Sequence, residues 1–126
     1  CEVPLLDLQR YHQWLAGASW IAEYGDPKQP EDWAYLRGLS PYHNVQRNPG
    51  YPPALFLTTT NDDRVSPAHA RKMVYRLQEA GQPAWLYESI EGGHDGAADQ
   101  KQSAHSETLI SEFLWQHRGR ERLTPI

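Results

Sequence analysis

The chain has 126 residues, of which 39% are hydrophobic and 22% charged, the size of one ordinary domain. A mean hydropathy of -0.76, with no apolar run of membrane-spanning length, excludes a transmembrane bundle and predicts a soluble chain without membrane contact. A formal net charge of -4 offers no attraction to the phosphates of nucleic acid, and the single cysteine, Cys1, can form neither an internal disulfide nor a thiolate-rich zinc site. Five Trp, seven Tyr and ten Pro mark a folded chain short of aliphatic core rather than a disordered one. The chain starts at Cys1 without an initiator Met or a leader-like segment, and residues 3–6 already read as buried strand, so a segment of a longer protein is expected.

Residues 3–8, Val-Pro-Leu-Leu-Asp-Leu, read as a strand end or buried connection, with Pro4 arguing against a central ladder position. A helical turn follows at 9–14. Residues 17–24, rich in aromatic and small side chains, read as a structured loop. Pro27 and Pro30 break the chain, and Glu31 and Asp32 then open a helix carrying Trp33, Leu36 and Leu39 that must stop before Pro41. Four prolines with Asn44, Asn48 and Gly50 make 41–53 an irregular surface loop. Residues 54–60, Ala-Leu-Phe-Leu-Thr-Thr-Thr, have the composition of an interior strand. Ser66 as N-cap and Pro67 as first residue open a helix with Ala70, Met73, Val74 and Leu77 on one face, closed by Gly81. A second strand spans 83–90 and ends in Glu91-Gly92-Gly93. The last helix, 99–118, places Leu109, Ile110, Phe113 and Leu114 together, and the residues beyond it are expected to fray.

Strand, helix, strand, helix with short links is the order of a parallel sheet wrapped by helices, whose ligands sit beyond the carboxyl ends of the strands. Asn-Asp-Asp-Arg at 61–64 and Gly-Gly-His-Asp-Gly at 92–96 both occupy such ends, so an acid and a histidine can meet. A carboxylate that accepts a hydrogen bond from one imidazole nitrogen frees the other to act as a base. Acid then histidine, each after a strand, is the order of an α/β-hydrolase after an earlier serine. None of Ser19, Ser40, Ser66, Ser89, Ser103, Ser106 and Ser111 lies in a Gly-x-Ser-x-Gly elbow, so the nucleophile is expected outside this chain. Taken singly these pieces have plainer readings. Asp62-Asp63 suits a solvated turn or helix cap, Gly-Gly-His a turn, Trp20 and Tyr24 a core, and Arg64 a surface ion pair. His12, His43, His69, His105 and His117 lack metal-ligand spacing, and neither a metal nor a cofactor is expected.

Thr-Thr-Thr-Asn-Asp-Asp-Arg-Val-Ser-Pro at 58–67, Gly-Gly-His at 92–94, and Trp-Ile-Ala-Glu-Tyr-Gly at 20–25 after Leu-Leu-Asp-Leu-Gln-Arg-Tyr at 5–11 together resemble the C-terminal part of the prolyl oligopeptidase family. The resemblance runs in order over nearly the whole chain. It implies the C-terminal portion of an α/β-hydrolase fold, a mostly parallel sheet flanked by helices, in an enzyme that cuts short peptides after proline. Residues 1–126 would then be part of the catalytic domain, with the serine elbow and a β-propeller upstream. Carried over by position, Asp62 is the triad acid and His94 the base. Arg64 binds a substrate carbonyl, Trp20 stacks on the proline ring, and Tyr24, Val65 and Leu5 complete the apolar wall. The implied partners are proline-containing peptides and the upstream remainder of the same polypeptide. Trp20 with Tyr24 favours the proline-specific branch over acylaminoacyl or dipeptidyl peptidases. Two departures stand out: Ser66 replaces a common aliphatic residue, and Asp95, expected to point outward, follows His94 where a small residue is usual. An inward Asp95 would favour the imidazolium and weaken the base. The competing readings are a non-catalytic binding or assembly module and a metal-dependent hydrolase using Asp62, His94 and Asp95. Without serine and oxyanion donors the segment alone is expected to be inactive.

Overall fold

The computed structural model describes residues 1–47, 50–95 and 97–117. Asn48 in the expected surface loop, Gly96 in the histidine turn, and the chain from Arg118 onward, with the expected fraying, lie outside the described residues. The centre of the fold is β1 (Ala54–Thr59), which pairs in parallel with β2 (Ala84–Ser89) from Ala54 opposite Ala84 to Thr59 opposite Ser89. On its other side β1 meets the start of the chain: Val3 N donates to Leu57 O at 2.9 Å and Leu57 N to Cys1 O at 2.9 Å. β1 is therefore interior, which is why Leu55, Phe56 and Leu57 are all buried on a strand that offers no polar face.

The crossover between the strands is α3 (Ala68–Glu79). Ser66 Oγ accepts from Ala68 N at 3.3 Å, as expected of a capping residue. Ala70, Met73, Val74 and Leu77 pack with Leu6, Phe56 and Ala84 into the core, each large side chain contributing roughly 1.5–3 kcal/mol on burial. Gly81, at a φ of 76°, ends the helix while Gly81 N donates to Gln78 O and Gln82 N to Leu77 O, both at 2.9 Å.

Elsewhere the chain departs from its pattern. Residues 17–24 are not a loop: a 3-10 helix, Leu15–Trp20, runs into α1 (Ile21–Tyr24). Small side chains make this tight winding possible, since a Cβ on Gly17 would lie 1.8 Å from the Tyr11 carbonyl oxygen. In α2 (Pro30–Leu39) Leu36 is buried but Leu39 is 55% exposed. The stretch after it opens with another 3-10 helix, Pro41–Asn44, because Asn44 Nδ2 donates to the carbonyls of Arg37 and Ser40 at 2.8 Å and closes the end of α2. In α4 (Gln100–His117) Asp99 Oδ1 accepts from Gln102 N at 2.9 Å, yet none of its residues is buried and Leu114 is exposed.

The segment 6–10 has left the sheet, so its backbone groups need other partners. His69 Nδ1 accepts from Leu6 N at 3.3 Å and Asp7 N at 3.1 Å, and Ser40 Oγ accepts from Leu8 N at 3.1 Å. Buried Asp7 receives Gln9 N and Arg10 N on Oδ1 and the Lys72 ammonium on Oδ2. That ammonium also sits 4.3 Å from the Tyr42 ring centroid and 5.2 Å from that of Trp14.

Burial, opposed by Asp7 and reinforced by Lys72, pushes the His69 imidazole from 6.5 down to about 4. In that interval the unfolded chain binds a proton that the folded chain refuses, so this stability is complete above 6.5 and drains away as pH falls toward 4. His43, also lowered by burial, acts in the same direction. The thermal midpoint should decline over this window, and His69→Asn, which keeps an acceptor that does not titrate, should flatten the decline. Gly17→Ala should destabilise by about 3 kcal/mol or more in denaturant titrations. Gly38→Ala, with nothing within 4 Å of the added carbon on α2, should stabilise slightly.

Candidate active site

Parallel pairing brings the carboxyl ends of β1 and β2 to one edge, where Asp62 is 4% exposed. Its Oδ1 accepts from Arg64 N and Val65 N, each at 2.9 Å, so the aspartate folds the turn after β1 around its own carboxylate. His94 Nδ1 lies 3.0 Å from Oδ1 and 3.1 Å from Oδ2 of the same group. An ionised carboxylate only accepts, so Nδ1 carries the hydrogen, and in the neutral imidazole Nε2 is then the nitrogen with the lone pair. The carboxylate is fully covered while the imidazole is 24% exposed. Among the described residues Nε2 has no hydrogen-bond partner. The ring borders an open depression with Asn61, Asp63, Arg64, Gly93 and Asp95.

The end of β2 and the turn that carries His94 are tied to the end of β1 by successive residues. Thr59 Oγ1 donates to Gly93 O at 3.0 Å, Thr60 Oγ1 to Glu88 Oε1 at 2.7 Å, and Asn61 Nδ2 to Ile90 O at 3.0 Å. Arg71 Nε donates to Glu88 Oε2 at 2.8 Å, and the guanidinium holds that carboxyl below the usual range. Gly92 adopts a φ of 91°, a backbone that side chains disfavour. Sequence reasoning did not single out these tethers; the available signal was a run of hydroxyls closing an otherwise apolar strand.

The remaining predicted residues are placed less closely. Val65 is buried and Leu5 half-buried, whereas Arg64 is exposed, its carbonyl accepting from Ala16 N at 3.3 Å. This bond joins the Asp62 turn to the segment carrying Trp20 and Tyr24, whose ring centroids are 6.4 Å apart. Tyr24 also packs edge-on against buried Tyr11 at 5.9 Å. Among the described residues no hydrogen bond or ring contact joins Leu5, Trp20 or Tyr24 to Asp62 or His94. Asp95 is exposed and makes no hydrogen bond or ion pair among the described residues. His43 and His69 serve the polar network, His12 is buried with both ring nitrogens unpaired, and His105 and His117 are exposed. Among the described residues no three His, Cys, Asp or Glu side chains converge to hold a metal.

Asp62→Asn should keep the turn, because the amide oxygen can accept from Arg64 N and Val65 N, but it places an NH2 group against the ring. His94 should then switch to the Nε2–H tautomer, an outcome that nitrogen NMR of the imidazole reads directly.

Residues 1–121 match the model of the prolyl oligopeptidase family. The chain is 47% identical over 115 residues to an uncharacterized peptidase of Sinorhizobium fredii, covering 91% of this chain and 16% of that protein. It superposes on a solved prolyl endopeptidase with a TM-score of 0.85 and 42% identity, over 93% of this chain and 18% of the other. Prolyl oligopeptidase B of Galerina marginata, solved with a 35mer hydrolysis and macrocyclization substrate, aligns with a TM-score of 0.66 and 34% identity over 70% of this chain and 13% of the other. The chain thus spans less than a fifth of the length of these proteins. Its parallel β-α-β unit is part of an α/β-hydrolase fold, and the chain belongs to the prolyl oligopeptidase family.

Proposed function

We propose that residues 1–126 are part of the catalytic domain of a serine endopeptidase that cuts short peptides after proline, with Asp62 and His94 as acid and base of its triad. The observation that carries this reading is the hydrogen bonding of His94 Nδ1 to both oxygens of a covered carboxylate that the backbone also holds. In this scheme Nε2 removes the proton from a serine hydroxyl as its oxygen attacks the peptide carbonyl carbon. Asp62 stabilises the imidazolium, which then gives the proton to the departing amine nitrogen. Water, deprotonated by the same nitrogen, hydrolyses the acyl-enzyme.

The serine and the oxyanion donors belong to the remainder of the polypeptide. The exposure of Trp85, Leu86 and Ile90 supports a larger apolar surround than this segment supplies. Arg64, with its planar charged fork, binds a substrate carbonyl, and Trp20 offers a flat face to a pyrrolidine ring beside Tyr24, Val65 and Leu5. The prolyl endopeptidase and oligopeptidase neighbours support proline-containing peptides as substrates. No described helix is long and apolar enough to cross a membrane.

In the intact polypeptide, His94→Ala should lower kcat on a Gly-Pro reporter by about 10⁴-fold with little change in KM. Trp20→Ala should cut the preference for proline over alanine by roughly tenfold or more. A serine-directed phosphonate should label the intact protein but not the 126-residue segment. Undiminished turnover in His94→Ala would overturn the assignment and leave a binding module as the better account.

A further inference from the structure

We propose that Thr59 is a positioning residue for the base: its hydroxyl holds the backbone one residue before His94 and so sets how the imidazole meets Asp62. The proposal rests on the assignment of these two groups as base and acid.

The turn carrying His94 has little to hold itself. Gly92 has a φ of 91° and Gly93 brings no side chain, so both contribute conformational freedom that the ordered turn must lose. The side-chain bonds that restrain the turn come from outside it. Ser89 Oγ donates to Glu91 O and accepts from Glu91 N, Asn61 reaches Ile90 O and Gln102 reaches the Glu91 carboxylate, but all of these bonds are exposed and lie at the start of the turn. Thr59 is different on both counts. It is 5% exposed, and its Oγ1 donates at 3.0 Å to Gly93, the residue next to His94. Partly shielded from competing water, such a bond keeps its geometry better than an exposed one. The β-branched side chain has few rotamers, so the hydroxyl is aimed by the strand itself. Thr59 also closes β1, three residues before Asp62. One strand end thereby sets the acid through the chain and the base through a side chain.

Replacing Thr59 by Val exchanges the hydroxyl for a methyl of similar size and removes the side-chain bond to the Gly93 carbonyl. Proton transfer depends on the relative placement of Nδ1 and the carboxylate far more steeply than substrate binding does. In the intact polypeptide, Thr59→Val should lower kcat on the proline reporter by about 10-fold to 100-fold with KM within about twofold. Thr59→Ser, which restores the donor, should recover activity to within about threefold of wild type. Proton NMR of the same proteins should show the His94 Nδ1–H resonance in wild type and Thr59→Ser, broadened by exchange in Thr59→Val. An unchanged kcat and resonance in Thr59→Val would overturn the proposal. So would equal losses of activity and thermal midpoint in the Val and Ser variants, the mark of a merely structural role. His94→Ala, assayed in parallel, separates the two levels. If it turns over normally the catalytic assignment itself is wrong, and the resonance alone then decides whether Thr59 orients the ring.

Discussion

A carboxylate withdrawn from water is tolerated only when its oxygens are supplied with donors. At the end of β1 that requirement organises the whole edge of the sheet. Oδ1 of Asp62 takes hydrogens from Arg64 N, Val65 N and His94 Nδ1, while Oδ2 faces the same ring nitrogen. One buried group therefore shapes the turn after β1, orients a histidine from the turn after β2, and sets its tautomer. The chemistry of the site and the local fold are two aspects of the same hydrogen bonds.

For those bonds to form, the two strand ends must coincide, and this is the work of α3. Its apolar face packs over Phe56 and Ala84, so the chain must return parallel to β1, and both following turns leave at one edge. The side chains of Thr59 and Asn61 then tie the residues after β2 to the end of β1, and Thr60 reaches Glu88 within β2. On the far side the segment 6–10 has no ladder to join and is paired instead by His69, Ser40 and its own Asp7. Through this network and the Ala16–Arg64 bond, the stretch bearing Trp20 and Tyr24 is anchored to α3 and to the Asp62 turn. Coverage of the sheet is uneven. α3 buries five of its residues, whereas α4 buries none and meets Trp85 edge-on through Phe113 at 5.8 Å.

Much of this was legible before any coordinates. β1 announced itself by having too few polar residues for a solvent-facing edge, α3 by Ser66, Pro67, a helical stripe and Gly81, and β2 by the run ending in Glu91-Gly92-Gly93. The placement of 61–64 and 92–96 after two strands allowed an acid and a histidine to meet, and the family resemblance named them as Asp62 and His94. The winding of 15–24 was not legible, because alanines and glycines serve tight helices and loops alike. What selects the helix is the close approach of Gly17 to the Tyr11 carbonyl, a contact with no trace in local composition. Leu39 and Leu114 kept helical spacing yet stayed exposed, since periodicity names a face without supplying what covers it.

The sequence by itself determined the alternation of strand and helix, the caps that bound α3, and that an Asp-Asp pair and a histidine turn stand at the strand ends. These follow from side-chain period, turn chemistry and chain direction, all of them local, whereas the choice of Asp62 within the pair came from the family resemblance. Tertiary structure alone decided the partners. Asp7 sits in an apolar run, and it is Lys72 on α3 that supplies the counter-charge for its Oδ2 while His69 takes its backbone N–H; the Thr59 tether likewise matters only because parallel pairing carries Gly93 to within reach. Hydrogen bonds act over about 3 Å whatever the separation along the chain, so their partners are chosen by packing and not by neighbouring residues.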